Sequence, residues 1–152
     1  MEITYHLPIS EWYWHSLEYW GLDYPPLTAY VSWVCGFVAH NAIKDLVALH
    51  SSRFGYEDAL GKMYMRFTVL LLDLLVYMSA VIAIAKRLMI QIKCSKGIFF
   101  VKYSTQPALL LIDHGHFQYN TTSLGLALWS FYFMTQTSFV GCVIGSVCSV
   151  LL

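Results

Sequence analysis

The sequence predicts an all-α, polytopic membrane protein, and three observations support this fold class. Hydrophobic residues make up 58% of the chain and charged residues only 12%, whereas a typical soluble domain contains about 25% charged residues. Two long apolar runs, 67–85 and 123–152, contain a single charged residue between them, and runs of this length are typical of membrane-spanning helices. Nine cations balance nine acids, so the composition does not favour nucleic-acid binding.

The first polar element is the stretch YWGLDYPPLTAY, residues 19–30. Asp23 precedes Pro25 and Pro26, and proline in the first turn with a nearby carboxylate is typical of the amino terminus of a helix. The run 27–43 is apolar but short for a crossing, so we expect a juxtamembrane helix there. The aromatic residues nearby are typical of the belt at a membrane–water interface. They are Trp12, Tyr13, Trp14, Tyr19, Trp20 and Tyr24.

The same stretch also suits carbohydrate recognition. The C–H faces of sugars lie against Trp and Tyr rings, and a carboxylate such as Asp23 accepts hydrogen bonds from hydroxyl groups. An interfacial belt and a sugar platform use the same residue types, so the two interpretations are compatible.

The run 67–85 is the strongest predicted span. It is nineteen residues long with Asp73 as its one charge, which is enough for a helix to cross a hydrocarbon core of about 30 Å. An acid inside a span is a functional-site candidate, and the alternative is a structural hydrogen bond to a neighbouring helix. Arg66, at the start of the run, is placed to hold a lipid phosphate. A small transporter that uses Asp73 and the histidines as a proton path is a further function class compatible with this pattern.

Two later runs are also predicted to span the membrane. The run 98–112 is interrupted by Lys102 and Pro107, and it spans only if Lys102 snorkels toward one end. The run 123–152 exceeds one crossing at about 1.5 Å per residue but is short for a helical hairpin. We therefore expect one span over residues 124–143.

Charge asymmetry orients these segments. No acid lies between Asp73 and Asp113, whereas five cations do, so the intervening loop should face the cytosol by the positive-inside rule. Seven of the nine acids lie in residues 1–58, which then face the lumen. The sequence thus predicts a luminal loop with a juxtamembrane helix over residues 1–64 and a transmembrane region of about three spans over residues 65–152. The opening MEITYHLPISEW lacks the features of a signal peptide, so we expect a further span upstream.

The second polar cluster is DHGHFQYN, residues 113–120, where a predicted span reaches the luminal surface. Its imidazole, amide and phenol groups suit phosphate and sugar recognition, because they stabilise a leaving phosphate; ordinary interfacial polarity is the alternative. The His-x-His pair lacks a third ligand at a suitable spacing, so no metal site is predicted. Asn120-Thr121-Thr122 is a formal N-glycosylation sequon, and we expect it to stay unmodified because it abuts the membrane.

The four cysteines include no CxxC pair. Cys35, Cys142 and Cys148 lie in apolar runs, so we predict buried thiols at these positions rather than disulfides or metal ligands.

Four stretches of the chain resemble one enzyme family. They are MEIT…LPISEWYW (1–14), YWGLDYPPLTAY (19–30), MRFTVLLLDLLVY (65–77) and LLIDHGHFQYNTTSLGLALW (110–129). Together they resemble the dolichyl-phosphate-glucose-dependent alpha-1,3-glucosyltransferases of the endoplasmic reticulum, and they are most similar to the members that add the first glucose. The resemblance covers residues 1–130.

This resemblance implies a partial GT-C type fold with luminal juxtamembrane helices, in a multi-pass protein of the endoplasmic-reticulum membrane. It implies dolichyl phosphate glucose as donor, the high-mannose lipid-linked oligosaccharide of protein N-glycosylation as acceptor, membrane lipid as a further partner, and no cofactor. The family inverts the anomeric centre, for which one carboxylate base suffices. The base takes a proton from the acceptor hydroxyl while the lipid phosphate leaves, and no metal is required.

The resemblance also implies residue roles. The family acid that acts as base is expected upstream of Met1, and Asp23 is the candidate within this chain. Because that acidic motif and the later helices of the family are absent from this sequence, the alternative is a catalytically inactive membrane fragment or short isoform with only an interaction or lipid-binding role. Substrate recognition is assigned to Trp20, Asp23, Tyr24, Arg66, His114, His116, Gln118, Tyr119 and Asn120.

Overall fold

The computed structural model describes residues 1–15, 22–49, 58–92, 106–116, 118–136 and 138–152. Every regular element within these ranges is helical, which confirms the predicted all-α class. The chain divides into two packed units, Met1–Met65 and Arg66–Leu152.

The first unit is organised around helix α2, Pro26–Ala42, against which the short helix α1, Glu2–His6, packs. Helix α2 begins at Pro26, as the two prolines in the sequence predicted. Pro26 occupies the first helical position, where the missing backbone N–H of proline costs no hydrogen bond. Gly36 allows the close approach of α1. A Cβ atom at this position would lie 3.2 Å from the Met1 carbonyl oxygen and 3.2 Å from Tyr5 Cβ.

Two short 3₁₀ helices, Ile9–Glu11 and Lys44–Val47, flank α2 in the chain. Small apolar clusters form the core of this unit, one around Ile3, Trp12 and Ala29 and the other around Ala39, Leu46 and Val47. Trp12 is only 3% exposed, and its indole N–H donates to the Leu7 carbonyl at 2.9 Å. The prediction that Trp12 belongs to an exposed aromatic belt is therefore wrong, because this ring is a core residue.

One long helix leads from the first unit into the second. Helix α3, Ala59–Leu72, continues through a π-helical segment, Asp73–Met78, into helix α4, Ser79–Ile92. Within the described ranges, Ala59–Arg87 is the one helix long and apolar enough to cross a membrane, at 29 residues. The predicted helix over 67–85 is confirmed as a helix.

The π-helical segment is the place where helix α6, Asn120–Thr135, packs most closely. A Cβ atom at Gly125 would lie 2.7 Å from Tyr77 Cα and 2.8 Å from Tyr77 N. Such distances are below those of real contacts, so only glycine permits this approach. Asp73 is buried at the start of the segment. Single turns of π-helix of this kind occur frequently at functional sites.

Helix α5, Pro107–His116, precedes α6. Pro107 is the first residue of this helix, where its missing N–H is tolerated, and a helix that begins there agrees with the prediction that Pro107 interrupts the run 98–112. The remainder of that predicted span, 98–105, lies outside the described residues.

The carboxyl-terminal run forms two helices. Helix α6 ends at Thr135 and helix α7, Phe139–Leu151, packs antiparallel against it, so the prediction of one continuous span over 124–143 is wrong. Small residues make this pairing possible, as they do between membrane helices. A Cβ atom at Gly145 would lie 3.0 Å from Ser130 N, and Ser130 Oγ lies 2.6 Å from Ser146 Oγ.

The thiols that the structure describes lie within these helices. Cys142 and Cys148 are half-buried free thiols on α7. Cys35 is half-buried on α2, and its backbone carbonyl accepts a hydrogen bond from the Tyr64 hydroxyl at 2.6 Å.

Candidate functional site

Several polar side chains of the second unit form a connected group where α5 leads into α6. Tyr119 is the N-cap of α6, and its side chain does not cap the helix. The first N–H groups of any α-helix have no partner within the helix. A hydrogen-bond acceptor from elsewhere is therefore needed at this end of α6.

Asp113, on α5, supplies that acceptor. Its side chain is completely buried. One carboxylate oxygen accepts from Asn120 Nδ2 at 2.9 Å, and the other accepts from the backbone N–H and the hydroxyl of Thr121. A carboxylate at a helix amino terminus is also favoured by the positive end of the helix dipole.

This geometry defines what Asp113 does. Three donors converge on a carboxylate without solvent contact, which gives it the partners that a buried charge requires. The group thereby ties α5 to the first turn of α6 and fixes the short connection between them. Asp113 is thus a positioning residue rather than an exposed base.

Two of the predicted recognition residues, Gln118 and Asn120, are brought into contact at this connection. Gln118 Oε1 accepts a second hydrogen bond from Asn120 Nδ2 at 2.9 Å, and both side chains are exposed. Tyr119 is half-buried, and its hydroxyl lies 3.3 Å from the hydroxyl of Thr68 on α3. The buried carboxylate of Asp113 therefore supports an exposed amide pair, Gln118 and Asn120.

The two histidines of the cluster are both in α5, with His116 as its last residue. The side chain of His116 is exposed, and the side chain of His114 lies outside the described part of the structure. Arg66 is exposed on α3. Among the residues that the structure describes, no group of three or more His, Cys, Asp or Glu side chains is arranged to hold a metal ion.

The nitrogen that would carry an N-linked glycan is already engaged. Asn120 Nδ2 donates to both Asp113 and Gln118, and Asn120 is the first residue of α6. That the sequon is unused stays a prediction.

The other predicted recognition residues belong to the first unit. Asp23 and Tyr24 are both exposed and immediately precede the prolines that start α2. The hydroxyl of Tyr13 donates to the backbone carbonyl of Tyr24 at 2.9 Å, which fixes the backbone next to Asp23. Desolvation, and secondarily the nearby Tyr30, raises the pKa of the Tyr13 phenol above its usual value. Trp20 lies outside the described residues.

The role of Asp113 with Thr121 was missed by sequence reasoning, which assigned recognition to His114, His116, Gln118, Tyr119 and Asn120. A signal for it exists in the chain. An isolated acid closes the apolar stretch ALLLID, and a threonine stands eight positions later. The pairing depends on how far the chain turns after α5, which no periodicity specifies.

The described residues define the class of an all-helical protein with one helix long and apolar enough to cross a membrane, and comparison with known proteins gives its family. The model of the ALG6, ALG8 glycosyltransferase family matches residues 1–152. The chain belongs to this family.

The names of individual relatives agree with this family assignment. The chain is 50% identical over 135 residues to the dolichyl pyrophosphate Man9GlcNAc2 alpha-1,3-glucosyltransferase of Gallus gallus, covering 84% of this chain and 26% of the relative. It is 45% identical over 152 residues to the protein of that name from Saccharomyces cerevisiae, covering 92% of this chain and 28% of the relative. The chain thus spans about a quarter of the length of these relatives.

Proposed function

We propose that this chain forms part of an alpha-1,3-glucosyltransferase in the endoplasmic-reticulum membrane. The reaction is the transfer of glucose from dolichyl phosphate glucose to the high-mannose lipid-linked oligosaccharide used in protein N-glycosylation. The observation that carries the proposal is the identity of 45–50% over most of the chain to enzymes named for this acceptor. Multiple membrane spans, a GT-C type fold and residues 1–64 on the luminal side belong to the same proposal.

The organised connection between α5 and α6 suits substrate recognition. The fixed amide pair of Gln118 and Asn120 offers donors and acceptors to sugar hydroxyls. The exposed His116 offers an imidazole to a phosphate. Because Asp113 already accepts three hydrogen bonds, its role is to hold this surface in place, and the recognition role falls on its exposed neighbours.

The segment before α2 suits recognition of the carbohydrate. Asp23 is exposed and can accept hydrogen bonds from hydroxyl groups, and the exposed ring of Tyr24 can lie against a sugar face. Inversion requires a single carboxylate that removes a proton from the acceptor hydroxyl. Asp23 is the candidate base among the residues that the structure describes, with the family acid expected upstream of Met1.

A chimeric protein tests the proposal. The segment of the Saccharomyces cerevisiae relative that matches this chain is replaced by the present sequence, and the hybrid is expressed in cells that lack the relative. Restoration of a glucosylated lipid-linked oligosaccharide, measured by the size of the released glycan, is expected. A hybrid that reaches the membrane in normal amounts and leaves the glycan unglucosylated would contradict the proposal and favour the inactive-fragment alternative.

The same assay tests the role of Asp23. Asp23→Ala in the hybrid is expected to lower glucosylation at least about tenfold, because a hydrogen bond to a charged group contributes about 1.5–3 kcal/mol and a positioned acid–base group about 10²–10⁴-fold. Asp45→Ala is the matched control, because Asp45 is also an exposed acid of the first unit. Equal glucosylation by the two variants would remove Asp23 from the site.

A further inference from the structure

A cavity of about 470 Å³ lies between helix α4 and the carboxyl-terminal half of helix α6 in the second unit. It is far from the α5–α6 connection. Helix α6 runs beside the long helix, with Tyr119 near Thr68 at one end and Thr135 near Arg87 at the other. At about 1.5 Å per residue, Thr68 and Arg87 are about 28 Å apart along the helix, close to the thickness of a hydrocarbon core.

The cavity combines cations with aromatic and amide groups. Lys86 and Arg87 line it from α4, and Trp129 and Tyr132 line it from α6, with Gln136 just beyond the end of α6. None of the described residues that line it is acidic. Two positive charges therefore face this space without a counter-charge from the described wall.

Arg87 has hydrogen-bonding capacity that the described residues leave unused. One guanidinium nitrogen donates to the Thr135 carbonyl at the end of α6, at 3.2 Å. The Nε atom is buried and has no hydrogen-bond partner among the residues that the structure describes. A buried polar nitrogen without a partner is unfavourable, and a guanidinium binds phosphate oxygens through paired N–H groups.

The other residues of the cavity suit the phosphate group of a lipid rather than a free phosphate ion. Trp129 and Tyr132 form an edge-to-face pair with ring centroids 5.4 Å apart, and such rings are enriched at the level of lipid headgroups. Ile82, which also lines the cavity, is 41% exposed and offers an apolar surface to an acyl chain. Lys86 is exposed at the predicted cytosolic end of the helix, where anionic lipids attract cations.

We propose that this cavity binds the phosphate headgroup of an anionic phospholipid. The phosphate oxygens accept hydrogen bonds from Arg87 and Lys86, and the acyl chains lie along the exposed apolar face of α4. The site is separate from the proposed glucosyl-transfer surface; it rests on the proposed membrane topology and not on the transfer activity.

Native mass spectrometry of the purified protein in neutral detergent tests the proposal. The protein is titrated with phosphatidylserine, with phosphatidylcholine of the same acyl chains, and with inorganic phosphate. We expect phosphatidylserine to bind more tightly than phosphatidylcholine, whose headgroup carries no net charge. Equal binding of the two lipids would overturn the proposal. If inorganic phosphate binds as tightly as phosphatidylserine, the ligand of the cavity is a free phosphate ion. That result would overturn the proposal that the ligand is a phospholipid.

Substitutions of the two cations test whether phosphatidylserine binds in this cavity. Lys86→Gln is expected to weaken phosphatidylserine binding about fivefold, and the double change with Arg87→Gln about 25-fold, from the typical attraction of one cation to an anionic surface. Because Lys86 is exposed and Arg87 keeps its bond to Thr135 in the single variant, the single variant is expected to fold normally. Lys44→Gln, which removes an exposed cation of the first unit, is the matched control and should bind as the wild type does. Wild-type affinity in Lys86→Gln and in the double variant would refute this location.

Discussion

Asp113→Asn should destabilise the connection between α5 and α6 while nearly preserving the size of the side chain. In the native structure, one carboxylate accepts hydrogen bonds from Asn120 Nδ2, from the Thr121 N–H and from the Thr121 hydroxyl. An asparagine amide has one acceptor oxygen, and its NH₂ group would face a donor. At least one buried donor therefore loses its partner.

The size of the effect follows from these contacts. A hydrogen bond to a charged group contributes about 1.5–3 kcal/mol, and the attraction of the carboxylate to the helix dipole adds about 0.3–1 kcal/mol. We expect Asp113→Asn to lower the free energy of unfolding by about 2–4 kcal/mol. At about 2–4 °C per kcal/mol for a chain of this size, the melting temperature should fall by about 4–16 °C.

Thermal unfolding followed by circular dichroism in detergent measures the melting temperature, and hydrogen exchange measures protection of the Thr121 amide. Exchange at this amide should be faster in the variant. Asp58→Asn is the matched control, because the Asp58 carboxylate accepts from the Leu60 N–H at 3.2 Å in an exposed position. That change should cost less than about 1 kcal/mol.

Unchanged melting and unchanged Thr121 exchange in Asp113→Asn would refute the assignment of Asp113 as the acceptor for α6. A double variant with Thr121→Val adds a second check. If the two side chains interact, the effect of the double change is smaller than the sum of the single changes. Strict additivity would place Asp113 and Thr121 in separate environments.

Three further outcomes are expected. Gly125→Ala places a Cβ atom against the backbone of the π-helical segment and should lower stability by about 1–3 kcal/mol in thermal unfolding, whereas Gly115→Ala, which meets nothing within 4 Å, should not. Ser130→Ala removes hydrogen bonds to α7 and should weaken the packing of α6 on α7 by about 0.6 kcal/mol. An unchanged free energy of unfolding in this variant would show that these hydrogen bonds do not stabilise the pair. Cysteines introduced at Asp23 and His116, in a background without native cysteines, should both react with an impermeant reagent from the luminal side, and labelling from opposite sides would separate the two polar clusters.

Much of the helical architecture was predictable from local sequence. Pro25, Pro26 and the preceding acid predicted the start of α2, because proline fixes the backbone angle of a first helical turn. The apolar run 67–85 predicted a long helix, since its length and composition leave few alternatives. The family could likewise be predicted, because the motif DYPP with DHGHFQYN is a local pattern.

The errors in prediction concern contacts between elements. The run 123–152 carries no charge that marks a break, so only contacts between its two helices, such as Gly145 against Ser130, show that the chain turns back there. Trp12 was predicted as an interfacial aromatic, and its indole N–H bond to Leu7 shows that it is buried. Periodicity describes one helix at a time and contains no information about which neighbour covers a face.

The amino-acid sequence by itself determined the helical class, the long apolar helix and the family, because each depends on composition or on motifs that are contiguous in the chain. The tertiary structure alone decided that Asp113 is buried under the start of α6, and that Lys86 and Arg87 share a cavity with Trp129 and Tyr132. The physical reason is that a carboxylate or a guanidinium acquires its role from the partners within hydrogen-bonding distance. Those partners are brought together by helix packing and not by spacing along the chain.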